Sequence, residues 1–272
     1  VFPFDFSAQG RKIVPFVRAH ALQLRAHVSV VSVVPPPFMH APPDMPIAPG
    51  DPAVMAAQLR ILLAKELPKE LADLDHETVA LNGDPAYKIV EYAREHHAGM
   101  IMMPTHGTGL FRATLIGSVA SKVLHDAPCP VWTAVHAEEQ HANPQPTNLL
   151  CAVDDTPEAT GILQWAHEYA IKMGAILRIL HIVPPISDWL GLPSERDLQE
   201  ELRAAAREKV SALLHQAAVS APLTVAVGRV TEVIQEEVRQ GGEDLIILGK
   251  GASQGAFAHL RSHLYSVIAA SP

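Results

Sequence analysis

The pattern of apolar and polar positions along the first half of the chain predicts strands that alternate with helices, as in an α/β protein. Short apolar or β-branched runs predict buried strands at residues 1–4, 28–34, 77–81, 101–103 and 130–135. Apolar residues spaced three or four positions apart predict helices at residues 9–25, 53–74, 85–96 and 118–126. Pro68 falls inside the second helix and is expected to interrupt it. This alternation predicts a parallel sheet covered by helices on both faces.

The second half of the chain repeats the pattern of the first. Asp154 follows an apolar run as Asp5 does, and it stands 149 positions later. Ile182 stands 149 positions after Val33, and both of their strands end in Val-Pro-Pro. A repeat of this length predicts two copies of one domain. The polar stretch 137–146 lacks periodicity, so we expect it to link a domain at residues 1–136 to a domain at residues 147–272.

A glycine-rich loop follows the strand at residues 101–103 and leads into a helix. Gly107 and Gly117 are separated by nine residues, and the hydroxyl of Ser118 comes directly after the second glycine. A strand, a glycine-rich loop and a helix N-terminus together favour binding of a phosphate, because backbone N–H groups and the helix dipole attract an anion. The alternative is an ordinary strand-to-helix connection in which Ser118 only caps its helix.

This stretch resembles the universal stress protein family. Nucleotide-binding members of that family carry Gly, two residues, Gly, nine residues, Gly and then Ser or Thr. Gly107, Gly117 and Ser118 match this motif, whereas Pro104 stands where the first glycine is expected. The triplet Thr105-His106-Gly107 and the downstream stretch 125–130 are also typical of the family.

The resemblance implies a fold and a ligand. Each tandem domain is expected to be flavodoxin-like or Rossmann-like, with a five-stranded parallel sheet in the order 3-2-1-4-5. Ligands of such sheets bind where the strand order reverses, between the first and fourth strands. The implied ligand is ATP, ADP or AMP, with or without Mg²⁺. The residues implied to contact it are Pro3, Phe4, Asp5, Val33, Met103, Pro104, His106, Gly107, Gly117, Ser118 and Val119.

These residues have distinct implied roles. Asp5 meets the adenine and Val33 lines its pocket, while the loop and the Gly117-Ser118 pair hold the ribose and phosphates. Asp5 has an alternative role as a helix N-cap, and His106 an alternative role in fixing the loop. Pro104 fixes its φ at about −65° and removes an N–H, so it would weaken the site if the family glycine uses a positive φ or donates that N–H to the ligand.

The glycine motif is degraded in the second copy. Two alignments of the second copy are possible. If Gly249 corresponds to the first motif glycine, the other motif positions hold Ala252, Ser262 and His263. If Gly251 instead corresponds to Gly107, then Arg261 and Ser262 replace the Gly117-Ser118 pair. In either register the glycine before the hydroxyl is lost, and a Cβ there would crowd a phosphate. We therefore expect nucleotide binding mainly in the first domain.

Composition excludes several classes of partner. The net charge is −8 and aromatic residues are only 5% of the chain, which argues against nucleic acid. No apolar run reaches the roughly 18 residues that cross a membrane. Cys129 and Cys151 are the only cysteines, as expected for a cytoplasmic protein. The 15 histidines show no metal-ligand spacing, so no metal site is expected.

Two functions remain open. The first is a nucleotide-binding stress or signalling protein that hydrolyses ATP slowly at most, because the Gly-Lys-Ser/Thr phosphate loop of efficient NTPases is absent. We therefore do not expect an enzyme. The second is a tandem module that binds no nucleotide and acts through protein–protein contacts. The resemblance further implies homo-oligomers that pair through their last strands, residues 130–135 in the first domain.

Overall fold

The computed structural model describes residues 1–35, 52–105, 116–134, 144–186, 193–249 and 267–268. The chain divides into two compact units, Val1–Pro144 and Gln145–Pro272. The first unit contains β1 (Phe2–Pro3), α1 (Ala8–Lys12), α2 (Val14–Leu24), β2 (Val28–Val34), α3 (Pro52–Glu66), a 3-10 helix (Lys69–Leu71), β3 (His76–Asn82), α4 (Pro85–Glu95), β4 (Ile101–Pro104), α5 (Ser118–Asp126) and β5 (Val131–Ala134). The second contains β6 (Asn148–Ala152), α6 (Ala159–Met173), β7 (Ile176–Val183), α7 (Pro193–Gln216), β8 (Leu223–Val227), α8 (Val230–Gly241) and β9 (Leu245–Leu248).

Prolines set the helix boundaries in the first unit. The interruption predicted at Pro68 is confirmed, since α3 ends at Glu66 and a separate 3-10 turn follows. The single helix predicted at residues 9–25 is wrong, because the chain forms α1 and α2 with a break at Ile13. Pro15 explains the break: it has no N–H to donate to the carbonyl four residues earlier, and it is tolerated only in the first turn of a helix.

All strand pairs in the described part of the chain are parallel. The predicted α/β class with parallel sheets is confirmed. The single five-stranded sheet is not confirmed, because the first unit has separate sheets β1-β2-β3 and β4-β5, and the second has β8-β7-β6-β9. The described strands therefore form sheets of three, two and four strands.

The division between β1 and β4 has a chemical cause. Their strands do lie side by side, since the Met102 N–H donates to the Val1 carbonyl at 2.9 Å. The next two bonds of a parallel ladder would need the N–H of residue 3 and then the N–H of residue 104. Both residues are proline and have no N–H. Backbone pairing between β1 and β4 therefore stops before the carboxyl ends of the strands.

An apolar core on one face of the first unit fixes β4 relative to α4 and α5. Ile101 and Met103 of β4 are buried together with Ile89 of α4 and Val123 of α5. Each fully buried side chain of this size stabilises the fold by about 1.5–3 kcal/mol. Val33 of β2 packs against the same core. The start of α5 is thereby held close to the end of β4.

Cys151 gives a simple test of the packing of the second unit. It is fully buried in β6, and burial raises the pKa of its thiol to about 12, whereas Cys129 is partly exposed. We expect a disulfide-exchange reagent at pH 8 to label Cys129 alone in the native protein, because the thiolate is the reactive form. Unfolding in guanidinium should release the second thiol. In a Cys129→Ser variant the native protein should be unreactive, and fast labelling of that variant would contradict the buried position of Cys151.

Candidate functional site

The described site residues collect at the carboxyl ends of β1, β2 and β4. Pro3 pairs with Val31, and the Phe4 N–H donates to the Val31 carbonyl at 2.8 Å. This register places Val33 level with Asp5, just beyond the end of β1. Because β4 lies on the other side of β1, the residues after β4 meet the same edge. The reversal point between the first and fourth strands is where ligands of open α/β sheets bind.

Thr105 ties three elements together at this edge. Its carbonyl accepts the Gly117 N–H at 2.8 Å, and its hydroxyl donates to the Ala134 carbonyl at 3.2 Å. The side chain is buried, so these bonds are shielded from water. Thr105 therefore joins the end of β4 to the end of β5 and the start of α5. From the sequence, Thr105 was noted only within a triplet typical of the family and not as a site residue, although a hydroxyl directly after a buried strand is suited to bond nearby backbone.

The start of α5 matches an anion site in its chemistry. Gly117 is the N-cap residue and has no side chain to bond the first-turn N–H groups. Ser118 is exposed and is the first residue of the helix, so the alternative in which Ser118 is the cap is wrong. The positive end of the helix dipole adds to these N–H groups. An anion such as phosphate would be stabilised here.

Asp5 is fixed in a turn that leads into α1. Its Oδ1 accepts the Ser7 N–H at 3.0 Å, and the Ser7 hydroxyl in turn accepts the Gly10 N–H at 2.9 Å. The N-cap of α1 is therefore Ser7, and the alternative role of Asp5 as that cap is wrong. Asp5 itself is exposed. Its carboxylate stands at the edge of the sheet in a position to accept from a ligand.

Gly10 is a residue that sequence reasoning missed. A Cβ on Gly10 would lie 3.2 Å from Asp5 Oδ1 and 3.3 Å from Ser7 Oγ. Any larger residue would therefore press on the carboxylate. The only available sequence signal was a glycine inside a helical pattern, which often marks close packing.

Three predicted site residues turn their side chains into the protein. Phe4 packs between Phe2 and Phe6, with ring centroids 5.5 and 5.0 Å away, and is only 2% exposed. Met103 belongs to the apolar core, and Pro104 is also buried. These residues can reach a ligand only through their backbone. Val119 is half-buried against the core, and His106 and Gly107 lie outside the described residues.

The direction in which the nitrogen of Pro104 points shows which partner an N–H at this position would bond. Along β4 the Met102 N–H points to β1, and the Thr105 N–H points to Ala134 of β5 at 3.5 Å. Successive residues of a strand alternate, so the nitrogen of residue 104 faces β1. The bond that Pro104 removes is therefore a bond between strands. The expectation that Pro104 removes a donor to the ligand does not fit this orientation.

The second unit fills the equivalent edge with its own side chains. Asp154, which answers Asp5, is 7% exposed and accepts from the Thr156 N–H at 3.2 Å and the Thr156 hydroxyl at 2.6 Å. Ile182, which answers Val33, is also 7% exposed. Asp5 by contrast is exposed and Val33 half-buried. Within the described residues, the first unit thus offers the more accessible polar edge.

Asp84 and Lys122 secure α5 from its outer side. Asp84 caps α4 by accepting the Tyr87 N–H at 3.0 Å, and its second carboxylate oxygen lies 3.3 Å from Lys122 Nζ. The Tyr87 N–H and then the Lys122 cation lower the pKa of Asp84. Lys122 lies one turn after Ser118, so this pair links the first turns of α4 and α5.

Two other kinds of site are absent from the described part of the chain. No cluster of three or more His, Cys, Asp or Glu side chains that could hold a metal ion occurs there. No helix in those ranges is both long and apolar enough to span a bilayer. The candidate site is therefore the edge formed by Asp5, Val33, Thr105 and the start of α5.

Comparison with known proteins agrees with this architecture. The model of the universal stress protein family matches residues 1–134 and again residues 146–272. A universal stress protein of Thermus aquaticus is 29% identical over 133 residues, which are 47% of this chain and 91% of that protein. A universal stress protein of Mycolicibacterium smegmatis is 28% identical over 120 residues, 42% of this chain and 39% of the relative. The chain thus spans well under half the length of that relative.

Solved structures show the same fold along the whole chain. A universal stress protein from Archaeoglobus fulgidus superposes with a TM-score of 0.66 at 21% identity, covering 100% of this chain and 92% of that one. A second structure, from Pseudomonas aeruginosa, gives a TM-score of 0.62 at 17% identity, covering 99% of this chain and 87% of that one. The fold defines a tandem α/β protein with parallel strands in each half. The chain belongs to the universal stress protein family, with one family domain in each half.

The role of Thr105 can be tested directly. A Thr105→Val substitution keeps the buried shape but removes the hydroxyl bonded to Ala134. We expect the free energy of unfolding of the first domain to fall by about 1 kcal/mol, since a net hydrogen bond contributes about 0.5–1.5 kcal/mol. Chemical denaturation measures this change. An unchanged free energy of unfolding in Thr105→Val would argue against the hydroxyl bond.

Proposed function

We propose that the first domain binds an adenine nucleotide and that the protein acts in a stress response or in signalling. The observation that carries this proposal is the bond from the Gly117 N–H to the Thr105 carbonyl, 2.8 Å long. It holds an uncapped helix start at the strand edge that also bears Asp5 and Val33. Family membership supports the stress-response role.

Each part of the site suits one part of the nucleotide. The carboxylate of Asp5 can accept from the exocyclic amine of adenine, and Val33 offers apolar contact to the ring. The first-turn N–H groups of α5 and the hydroxyl of Ser118 can donate to phosphate oxygens, which are strong acceptors. The Gly117 N–H is already bonded to Thr105, so its role is to position the helix. His106 and Gly107 are proposed to complete the phosphate side.

The ligand is proposed to be ATP, ADP or AMP, and Mg²⁺ would accompany the di- or triphosphate forms. We propose a binding protein that turns ATP over slowly at most. The reason is chemical: the sequence has no Gly-Lys-Ser/Thr loop to bring a lysine to the γ-phosphate. Cys129 and Cys151 are not joined in a disulfide, which suits a reducing cytoplasm.

The test begins with freshly purified protein. Denaturing release followed by mass spectrometry should yield adenine nucleotide at about one per chain, or the stripped protein should bind Mg-ATP in titration calorimetry with that stoichiometry. One site is expected because the second unit buries Asp154 and Ile182. Two nucleotides per chain would contradict the assignment to the first domain. No released ligand and no heat with Mg-ATP would contradict binding altogether.

Substitutions at the edge should weaken binding without unfolding the protein. Ser118→Ala removes one donor to a charged phosphate, and such a bond contributes about 1.5–3 kcal/mol. The Kd for Mg-ATP should therefore rise by roughly 10- to 100-fold. Ser121→Ala, one turn further along α5, is the matched control and should leave Kd within about twofold. Equal effects of the two substitutions would place the phosphates elsewhere.

A second candidate function is a module that acts through protein contacts. Two observations favour it: Pro104 departs from the nucleotide-binding motif, and β5 pairs only with β4 in the described part of the chain. Such an edge strand has unpaired backbone groups that can pair with another copy. Light scattering would detect these homo-oligomers. Association by a protein that binds no nucleotide, with binding gained on Pro104→Gly, would favour this function over the first.

A further inference from the structure

We infer that the ligand of the first domain must span two separately hydrogen-bonded halves of its sheet, and that it supplies the connection that Pro3 and Pro104 remove. The inference rests on the proposed nucleotide function. We call the junction of β1 with β4 the seam. One half consists of β1, β2 and β3, and the other consists of β4 and β5.

The seam is paired at one end only. At its amino end the Val1 nitrogen donates to the Met100 carbonyl at 2.8 Å, and the Met102 N–H donates to the Val1 carbonyl at 2.9 Å. Continuing a parallel ladder would require residue 3 to donate to Met102 and residue 104 to donate to Pro3. Neither donation is possible for proline. The two missing hydrogen bonds are consecutive and lie at the carboxyl end of the seam, next to the proposed ligand site.

The second domain provides an internal comparison. Its equivalent strands β6 and β9 pair without interruption from Leu149–Leu245 to Ala152–Leu248. Ala152 stands where the first domain has Pro3, and Gly249 follows the last pair where the first domain has Pro104. Both residues have an N–H. The same fold therefore occurs in one chain with a closed junction and with an open one.

The proposed ligand contacts divide between the two halves. Asp5 and Val33 belong to the half with β1 and β2, whereas Ser118 follows β4 and is held there through Thr105. The apolar core of α4 and α5 packs the halves together on one face. At the carboxyl edge, however, no backbone bond crosses the seam among the described residues beyond Met102. A molecule that bonds both sides would take over this role.

This arrangement defines the class of ligand. A nucleotide carries a base for the Asp5 side and phosphates for the α5 side, so it can join the halves. Adenosine presents only the base and sugar, and inorganic tripolyphosphate only the anion. A ligand that contacts both halves binds the closed seam more tightly than the open seam, so it shifts the equilibrium towards the closed state. It should therefore stabilise the junction more than adenosine or tripolyphosphate, each of which contacts one half.

The rate of amide hydrogen exchange at Met102 shows whether the seam is open or closed. Its N–H crosses the junction, and the equivalent N–H in the second domain belongs to Ile247. Without ligand we expect the Met102 amide to exchange at least about tenfold faster than that of Ile247, because local opening sets the exchange rate. Saturating Mg-ATP should slow Met102 at least about tenfold. Adenosine or tripolyphosphate, each at the highest soluble concentration, should slow it by less than about twofold.

The variant Pro3→Ala/Pro104→Gly restores both N–H groups and copies the residues of the second domain. Its Met102 amide should exchange slowly without ligand, and Mg-ATP should change that rate by less than about twofold. Pro104→Gly alone restores one donor and should be intermediate. Pro85→Ala is the control proline, because its position at the first turn of α4 has no bond to regain. It should leave Met102 unchanged.

Three results would overturn the inference. Equal Met102 exchange in the native protein and the double variant would show that the prolines do not open the seam. Binding of Mg-ATP by calorimetry without slower exchange at Met102 would show that the ligand does not bridge it. Equal slowing by adenosine would show that one half suffices. If calorimetry shows no nucleotide binding at all, the proposed function fails, and the ligand-free comparison still decides whether the seam is open.

Discussion

The structure of the first domain depends on which residues of its first and fourth strands have a backbone N–H to donate. A parallel sheet is continuous only where each strand can donate as well as accept. Pro3 and Pro104 remove two consecutive donors at the carboxyl end of this junction. The hydrogen-bonded sheets separate there. The elements that carry polar groups to the edge then depend on side-chain bonds, and those of Thr105, Asp5 and Asp84 fix their relative positions.

The two domains share one fold but differ at the carboxyl edge of the sheet. In the second, the strands are fully paired and Asp154 is buried against Thr156, so the edge is satisfied by the protein itself. In the first, Asp5 and Ser118 remain exposed beside an incompletely paired junction. Polar groups that the fold does not satisfy internally remain available to a ligand.

The sequence predicted what local pattern and chemistry determine. The β-branched run at Val28–Val34 and the break near Pro68 are confirmed because each depends on a single segment. The break at Ile13 was missed because Pro15 sat within an apolar helical pattern. The direction of the nitrogen of Pro104 could not be read from the motif, since it depends on the register against β1. The bonding role of Thr105 could not be predicted for the same reason: its partners, Gly117 and Ala134, become neighbours only in the folded domain.

The bonds of Thr105 have a consequence for communication across the first domain. Ala134 is the last residue of β5, and its carbonyl receives the Thr105 hydroxyl, while the Thr105 carbonyl holds the start of α5. A single residue thus stands between an edge strand and the start of α5 in the candidate site. A partner that displaced the end of β5 would alter the position of Gly117. By thermodynamic reciprocity, a ligand at α5 would then change the affinity for that partner by the same factor.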